Sequence, residues 1–140
     1  MKGGNMAKFF TQEWGDLYKE AINNNKNYEE AAKTWEGDFY FIMEAGGPFK
    51  EPAYTYIDLY HGKCRKIELV DDPSKYKPEF TMSAPYAVWK RIATKELDPI
   101  KAMITRQAKL AGNMAKIMRY VKAANELTTS TTQVPTEWLD

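Results

Sequence analysis

The chain has 140 residues, enough for one domain around one core, and its 44% apolar and 28% charged residues match an ordinary folded protein. A net charge of +1 gives no whole-molecule field that would draw it to nucleic acid, and no window approaches the roughly 18 continuous apolar residues of a membrane-spanning helix. One cysteine, Cys64, and one histidine, His61, leave no intramolecular disulfide and no His/Cys zinc set, and no apolar run behind Met1 forms a secretory leader, so the expected setting is the reducing cytoplasm.

Thr11 is a predicted cap for a first helix, in which Trp14, Leu17, Tyr18, Ala21 and Ile22 recur at three- and four-residue steps until Asn23-Asn24-Asn25 stops it. Asn27 and Glu30 have capping-box spacing for a second, short helix with the stripe Tyr28, Ala31, Ala32 and Trp35. Asp38 to Ala45 is apolar on both parities and reads as a central strand covered on both faces. Tyr54 to His61 and Arg65 to Val70 carry their apolar residues at odd positions, which predicts a hairpin with an odd loop, Tyr60-His61-Gly62, and Gly62 in the left-handed position. The tyrosines Tyr54, Tyr56 and Tyr60 fall on the other parity. They are expected beneath the first two helices, the alternative being a partner such as a second copy in a homodimer.

Glu79 to Ser83 reads as a further strand with Phe80 and Met82 inward. Pro85 opens a helix with the stripe Val88, Trp89 and Ile92, and Asp98-Pro99 is a cap followed by the favoured first-position proline, ahead of Ile100, Met103 and Ile104. Ala108 to Ala111 is a candidate last strand ended by Gly112. Asn113 then caps a final helix with Met114, Ile117, Met118, Val121 and Ala124 on one face. The expected organisation is a flexible 1–10, one domain over 11–127 and a mobile Thr-rich tail over 128–140.

Few groups here are suited to chemistry. His61 and Cys64 are expected on an exposed hairpin without an orienting third group, Glu44 and Asp58 as solvated strand carboxylates, and Gly46-Gly47-Pro48 as a strand terminator rather than a phosphate loop. The chain is therefore read as a non-enzyme with no metal and no cofactor. What it does have is a convergent apolar lining: Phe41, Phe80, Met82, Trp89, Ile92, Met103, Ile104, Leu110, Met114, Ile117, Met118 and Val121. Flexible methionine among aromatics suits the wall of a ligand channel, although the same residues would also fill a plain core. From Pro85 to Asn125 there are nine basic residues and two acidic ones. Lys116, Arg119 and Lys122 recur along one side of the final helix, where they could meet an anionic head group or membrane, or only water.

Taken in order, Phe80-Thr81-Met82-Ser83, Trp89, Leu97-Asp98-Pro99, Ala102-Met103, Lys109-Leu110 and Gly112-Asn113-Met114 resemble the sterol carrier protein type 2 family over roughly Tyr28 to Leu127, in the manner of a stand-alone, prokaryote-like member. The resemblance implies an α+β fold in which a five-stranded, mostly antiparallel sheet and about five helices enclose an apolar tunnel. It implies a carrier of lipid, fatty acid or acyl-coenzyme A without catalytic residues; the rival expectation is an accessory or dimerisation domain with a filled core. The sequence departs from the family pattern at Arg106, where the family has glycine, at Gln107-Ala108, where it has Lys-Leu, and at Asn113, where it has Asp. Arg106 and Ala108 are expected beside the tunnel wall.

Overall fold

A computed structural model describes residues 6–140, so the first five residues of the expected flexible N-terminus lie outside the described residues. The chain runs β1 (Ala7–Lys8), α1 (Gln12–Asn23), α2 (Lys26–Ala31), β2 (Glu36–Met43), β3 (Ala53–Tyr60), β4 (Lys63–Val70), β5 (Phe80–Ala84), α3 (Tyr86–Ala93), α4 (Pro99–Ile104), β6 (Lys109–Ala111), α5 (Met114–Met118), α6 (Val121–Thr131) and β7 (Thr136–Glu137). Five strands form one sheet in the order β4-β3-β2-β5-β6, with β2 central as its two-sided apolar pattern predicts. Only the β2–β5 pair is parallel in that sheet, so the architecture is α+β and mostly antiparallel.

Capping chemistry sets most helix starts. The Thr11 hydroxyl accepts from the Trp14 N–H, Asp98 from Ile100 and Lys101, and Asn113 from Lys116. The second helix is capped by Asn25 rather than Asn27, because the Asn25 carboxamide oxygen accepts from the Tyr28 N–H at 3.0 Å. Trp35 lies beyond that helix and leads into β2. The predicted final helix is two: α5 stops at Met118, and the chain breaks at Arg119 and Tyr120 before α6 begins.

The hairpin reaches its odd offset by another route. His61 and Gly62, with φ of +49° and +79°, form a two-residue turn, and Tyr60 pairs with Lys63. A register shift between Asp58 and Leu59 then supplies the extra residue, so that Ile57 meets Ile67 on one face. Cys64, expected on an exposed loop, is instead paired with Leu59 and 2% exposed. Gly62 has a second reason to lack a side chain: a Cβ there would lie 2.5 Å from the Glu29 carbonyl oxygen of α2.

Helices α1 and α2 do not cover the tyrosine face. Gly15 of α1 packs on Ile67, and Trp35 stacks on Phe39 and Phe80, all on the opposite side of the sheet. The outer face carries Tyr40, Tyr54, Tyr56 and Val70, and the 71–79 segment folds across it. Tyr76 stacks on Tyr56 with ring centroids 3.8 Å apart, and the Tyr40 hydroxyl donates to the Pro73 carbonyl. β2 is thus covered on both faces, by helices inside and by a loop outside.

The segments expected at the domain's margins pack onto it. β1 pairs in parallel with β7, Phe9 and Val134 are buried, and the Trp14 indole N–H donates to the Thr136 hydroxyl at 2.9 Å. Trp138 packs on Phe9, and the Tyr86 hydroxyl accepts from the Leu139 N–H and donates to Asp140. The Thr-rich stretch continues α6 as far as Thr131, with its hydroxyls bonded to carbonyls of the preceding turn.

Candidate functional site

Between the inner face of the sheet and the helices lies a cavity of about 110 Å³. Its floor is Phe39 and Phe41 of β2, Thr55 and Ile57 of β3, Ile67 of β4 and Met82 of β5. These share one face because Phe41 is in register with Met82 and Ile57 with Ile67. Its roof comes from Phe9, Phe10, Trp14 and Tyr18 on one side and from Trp89, Ile92, Met103, Ile117 and Leu127 on the other.

The wall offers hydrocarbon almost throughout. Three of its threonines spend their hydroxyls on carbonyls: Thr11 donates to Lys8, Thr128 to Asn125, and Thr131 to Ala93 and Thr128. The Tyr18 phenol donates to the Leu127 carbonyl at 3.0 Å, and burial raises its pKa. The Trp89 indole N–H donates to the Ile42 carbonyl at 2.9 Å, which holds α3 against the sheet. No fully buried side-chain N or O among the described residues is left unpaired, and the Thr55 hydroxyl is the polar group that the wall leaves to a guest.

Of the predicted lining, Phe41, Met82, Trp89, Ile92, Met103 and Ile117 border this cavity. Phe80 is buried elsewhere, stacked with Trp35 and Phe39, and Leu110, Met114 and Val121 are partly buried away from it. Ile104 and Met118 point outward, 61% and 42% exposed, because α4 and α5 each end within a turn of them. The roof from Phe9 to Tyr18 was missed. Its amphipathic pattern is visible, but an amphipathic stripe does not say which face of the sheet it meets, and α1 meets the face of Ile67.

The basic triad also separates. Lys116 turns inward: its ammonium donates to the Glu36 carbonyl at 2.7 Å and to Glu79 at 2.8 Å, and lies 4.9 Å over the Trp35 ring. Arg119 and Lys122 are exposed, on either side of the break between α5 and α6. Arg106 has φ of +62°, a conformation glycine adopts without strain, which accounts for glycine in the resembled pattern. It is exposed, Ala108 is buried, and neither borders the cavity.

His61 and Cys64 face apart. The His61 imidazole bonds to Glu36 at 2.7 Å in solvent and stacks on Tyr60, whereas the buried Cys64 thiol donates to the Lys66 carbonyl and burial pushes its pKa up to about 12. Asp58 is paired with Arg65 on the outer face, and Glu44 lies just past the end of β2. No group of three or more His, Cys, Asp or Glu among the described residues could hold a metal ion. No described helix is long and apolar enough to cross a membrane.

A search of curated proteins returns no match. Solved structures do match. The crystal structure of a sterol carrier protein 2 is 28% identical, with a TM-score of 0.83 over 91% of this chain and 99% of that one. A conserved hypothetical protein of Thermus thermophilus, described as a candidate sterol carrier protein, is 26% identical, with a TM-score of 0.84 over 98% of this chain and 97% of that one. The sterol carrier protein domain 2 of Helicoverpa armigera, 21% identical, shares the fold at a TM-score of 0.60 over 84% of this chain and 87% of that one. The description of the SCP-2 sterol transfer family matches residues 18–125, which take in the five-stranded sheet and every helix in part or whole, and the chain belongs to that family.

Proposed function

We propose that this protein is a non-catalytic carrier that encloses the hydrocarbon part of a lipid, fatty acid or acyl-coenzyme A between its sheet and its helices. The observation that carries the reading is the apolar cavity, most of whose polar wall groups are already bonded to the protein. Each methylene moved from water into such a wall contributes about 0.8 kcal/mol. At about 110 Å³ the cavity is smaller than the roughly 150 Å³ engineered cavity that admits benzene, so a long chain enters by displacing side chains. Met103, partly buried at the edge of the wall, is unbranched and suited to such movement.

The test is titration of a fluorescent fatty acid into wild type and Met103→Trp, with thermal unfolding as the control for folding. Binding by wild type at micromolar protein, weakened in the variant, supports the reading; no binding by wild type, or equal binding by both, removes it. Mass spectrometry of an organic extract of the purified protein would identify a retained lipid. Contact with anionic head groups rests on the exposed Arg119 and Lys122, each contributing about 1 kcal/mol near an anionic bilayer. Arg119→Glu with Lys122→Glu is expected to reduce sedimentation with anionic vesicles at low salt while leaving neutral vesicles unchanged.

A further inference from the structure

A second, smaller apolar cavity of about 40 Å³ adjoins the first, and the two share Phe39, Ile117, Ala124 and Leu127 as a common wall. Its other lining includes Leu59 and Ala123, which do not border the larger cavity. The shared residues differ in what they can do. Phe39 is held in the central strand, stacked on Phe80 at 5.1 Å and on Trp35 at 6.0 Å. Ala124 is too small to divide a space, and Leu127 sits within the eleven-residue α6.

Ile117 is different. It is 5% exposed and lies on the five-residue α5, between the Asn113 cap and the break at Arg119. Its β-branched side chain has few rotamers, so it acts as a fixed stop where a methionine would yield. Lys116, the preceding residue, fixes α5 through Glu79 and the Glu36 carbonyl.

Resting on the carrier reading above, we propose that Ile117 is the specificity-determining residue for chain length. It closes the larger cavity against the smaller one and limits how far the hydrocarbon end of a bound acyl chain extends. Shortening Ile117 joins the two cavities and shifts preference toward longer chains. Refilling the smaller cavity from Ala123 restores the original preference.

The experiment is displacement of a bound fluorescent fatty acid by octanoate, dodecanoate and hexadecanoate. It uses wild type, Ile117→Ala, and Ile117→Ala with Ala123→Leu. The affinity ratio of hexadecanoate to octanoate is expected to rise about tenfold in the single variant, the effect of roughly two further buried methylenes, and to return toward wild type in the double variant. A general loss of packing would weaken all three acids together and leave the ratio unchanged. Ile117→Val, a milder truncation, is expected to shift the ratio in the same direction and serves if the alanine variant does not fold. A wild type that binds while every variant keeps a parallel length profile overturns the length stop alone. A wild type that binds none of the acids overturns the carrier reading and the stop with it.

Discussion

The ammonium of Lys116 lies 2.8 Å from the Glu79 carboxylate and ties α5 to the strand end of the sheet. Glu79 is 44% exposed in its side chain, so screening leaves the ion pair worth only a fraction of a kcal/mol. The cation's approach to Trp35 adds about 0.5–1 kcal/mol. Lys116→Met is therefore expected to lower unfolding free energy by about 1 kcal/mol in urea titrations. Arg119→Met, which removes an exposed cation on the same segment, should change it by less than about 0.5 kcal/mol.

Gly112 ends β6 with φ of +129°, and a Cβ there would stand 2.4 Å from Cδ1 of the fully buried Phe80 ring. Backbone strain and overpacking then act together, and neither the ring nor the strand beneath it can move freely. Gly112→Ala is expected to destabilise by about 3 kcal/mol, read from the denaturation midpoint at unchanged m-value. Gly46→Ala meets no atom within 4 Å and carries only the cost of its φ, so it should lose less.

Because burial pushes the Cys64 thiol up to about 12, almost none of it is thiolate near neutrality. Iodoacetamide at pH 8 should label native protein far more slowly than protein unfolded in guanidinium, by mass spectrometry. Rapid labelling of the native form would show that the hairpin opens readily. His61→Ala should leave the labelling rate unchanged, since His61 bonds to Glu36 and faces solvent.

Lys90 beside Asp140, with help from the Tyr86 hydroxyl, holds the Asp140 carboxyl below its ordinary value of 3.8. A depressed carboxyl contributes its stability above the unfolded pKa and loses it as pH falls through the folded one. Protection of the Ala7 and Phe9 amides, which donate across the β1–β7 pair, should therefore decline below about pH 4 after correction for intrinsic exchange. Asp140→Asn should flatten that dependence, and an unchanged profile would remove Asp140 as its cause.

The periodic elements were the most legible part of the chain. Caps at Thr11, Asp98 and Asn113 act through single side-chain bonds, and the two-sided pattern of β2 has one physical solution, a central strand. What escaped sequence reading depends on long-range partners. One extra residue near Arg65 turned a three-residue loop into a two-residue turn with a register shift, and so buried Cys64. The apolar stripe from Met114 to Val121 ignored the break at Tyr120, which turned Met118 outward and left Ile117 inward. The tyrosine face looked like a seat for helices because nothing local identifies Tyr76, on a polar loop, as the ring that covers Tyr56. Half of the proposed lining nevertheless borders the cavity: Trp89 and Ile92 recur at helical spacing after Pro85, and Met103 lies in a helix whose start the Asp98 cap fixes.

The β1–β7 pair joins residues separated by almost the whole described chain, since Ala7 is opposite Thr136. Closing so long a loop costs entropy before the few bonds of a two-residue ladder and the Phe9–Trp138 contact can repay it. In kinetic terms this clasp is expected to form on the native side of the folding barrier, after the hairpin and the helices have collapsed onto the sheet. Weakening it with Trp138→Ala would then accelerate unfolding and leave the refolding limb of a chevron nearly unmoved. The clasp also roofs the cavity through Phe9 and Phe10, so loosening it would open that side of the cavity wall in the folded protein.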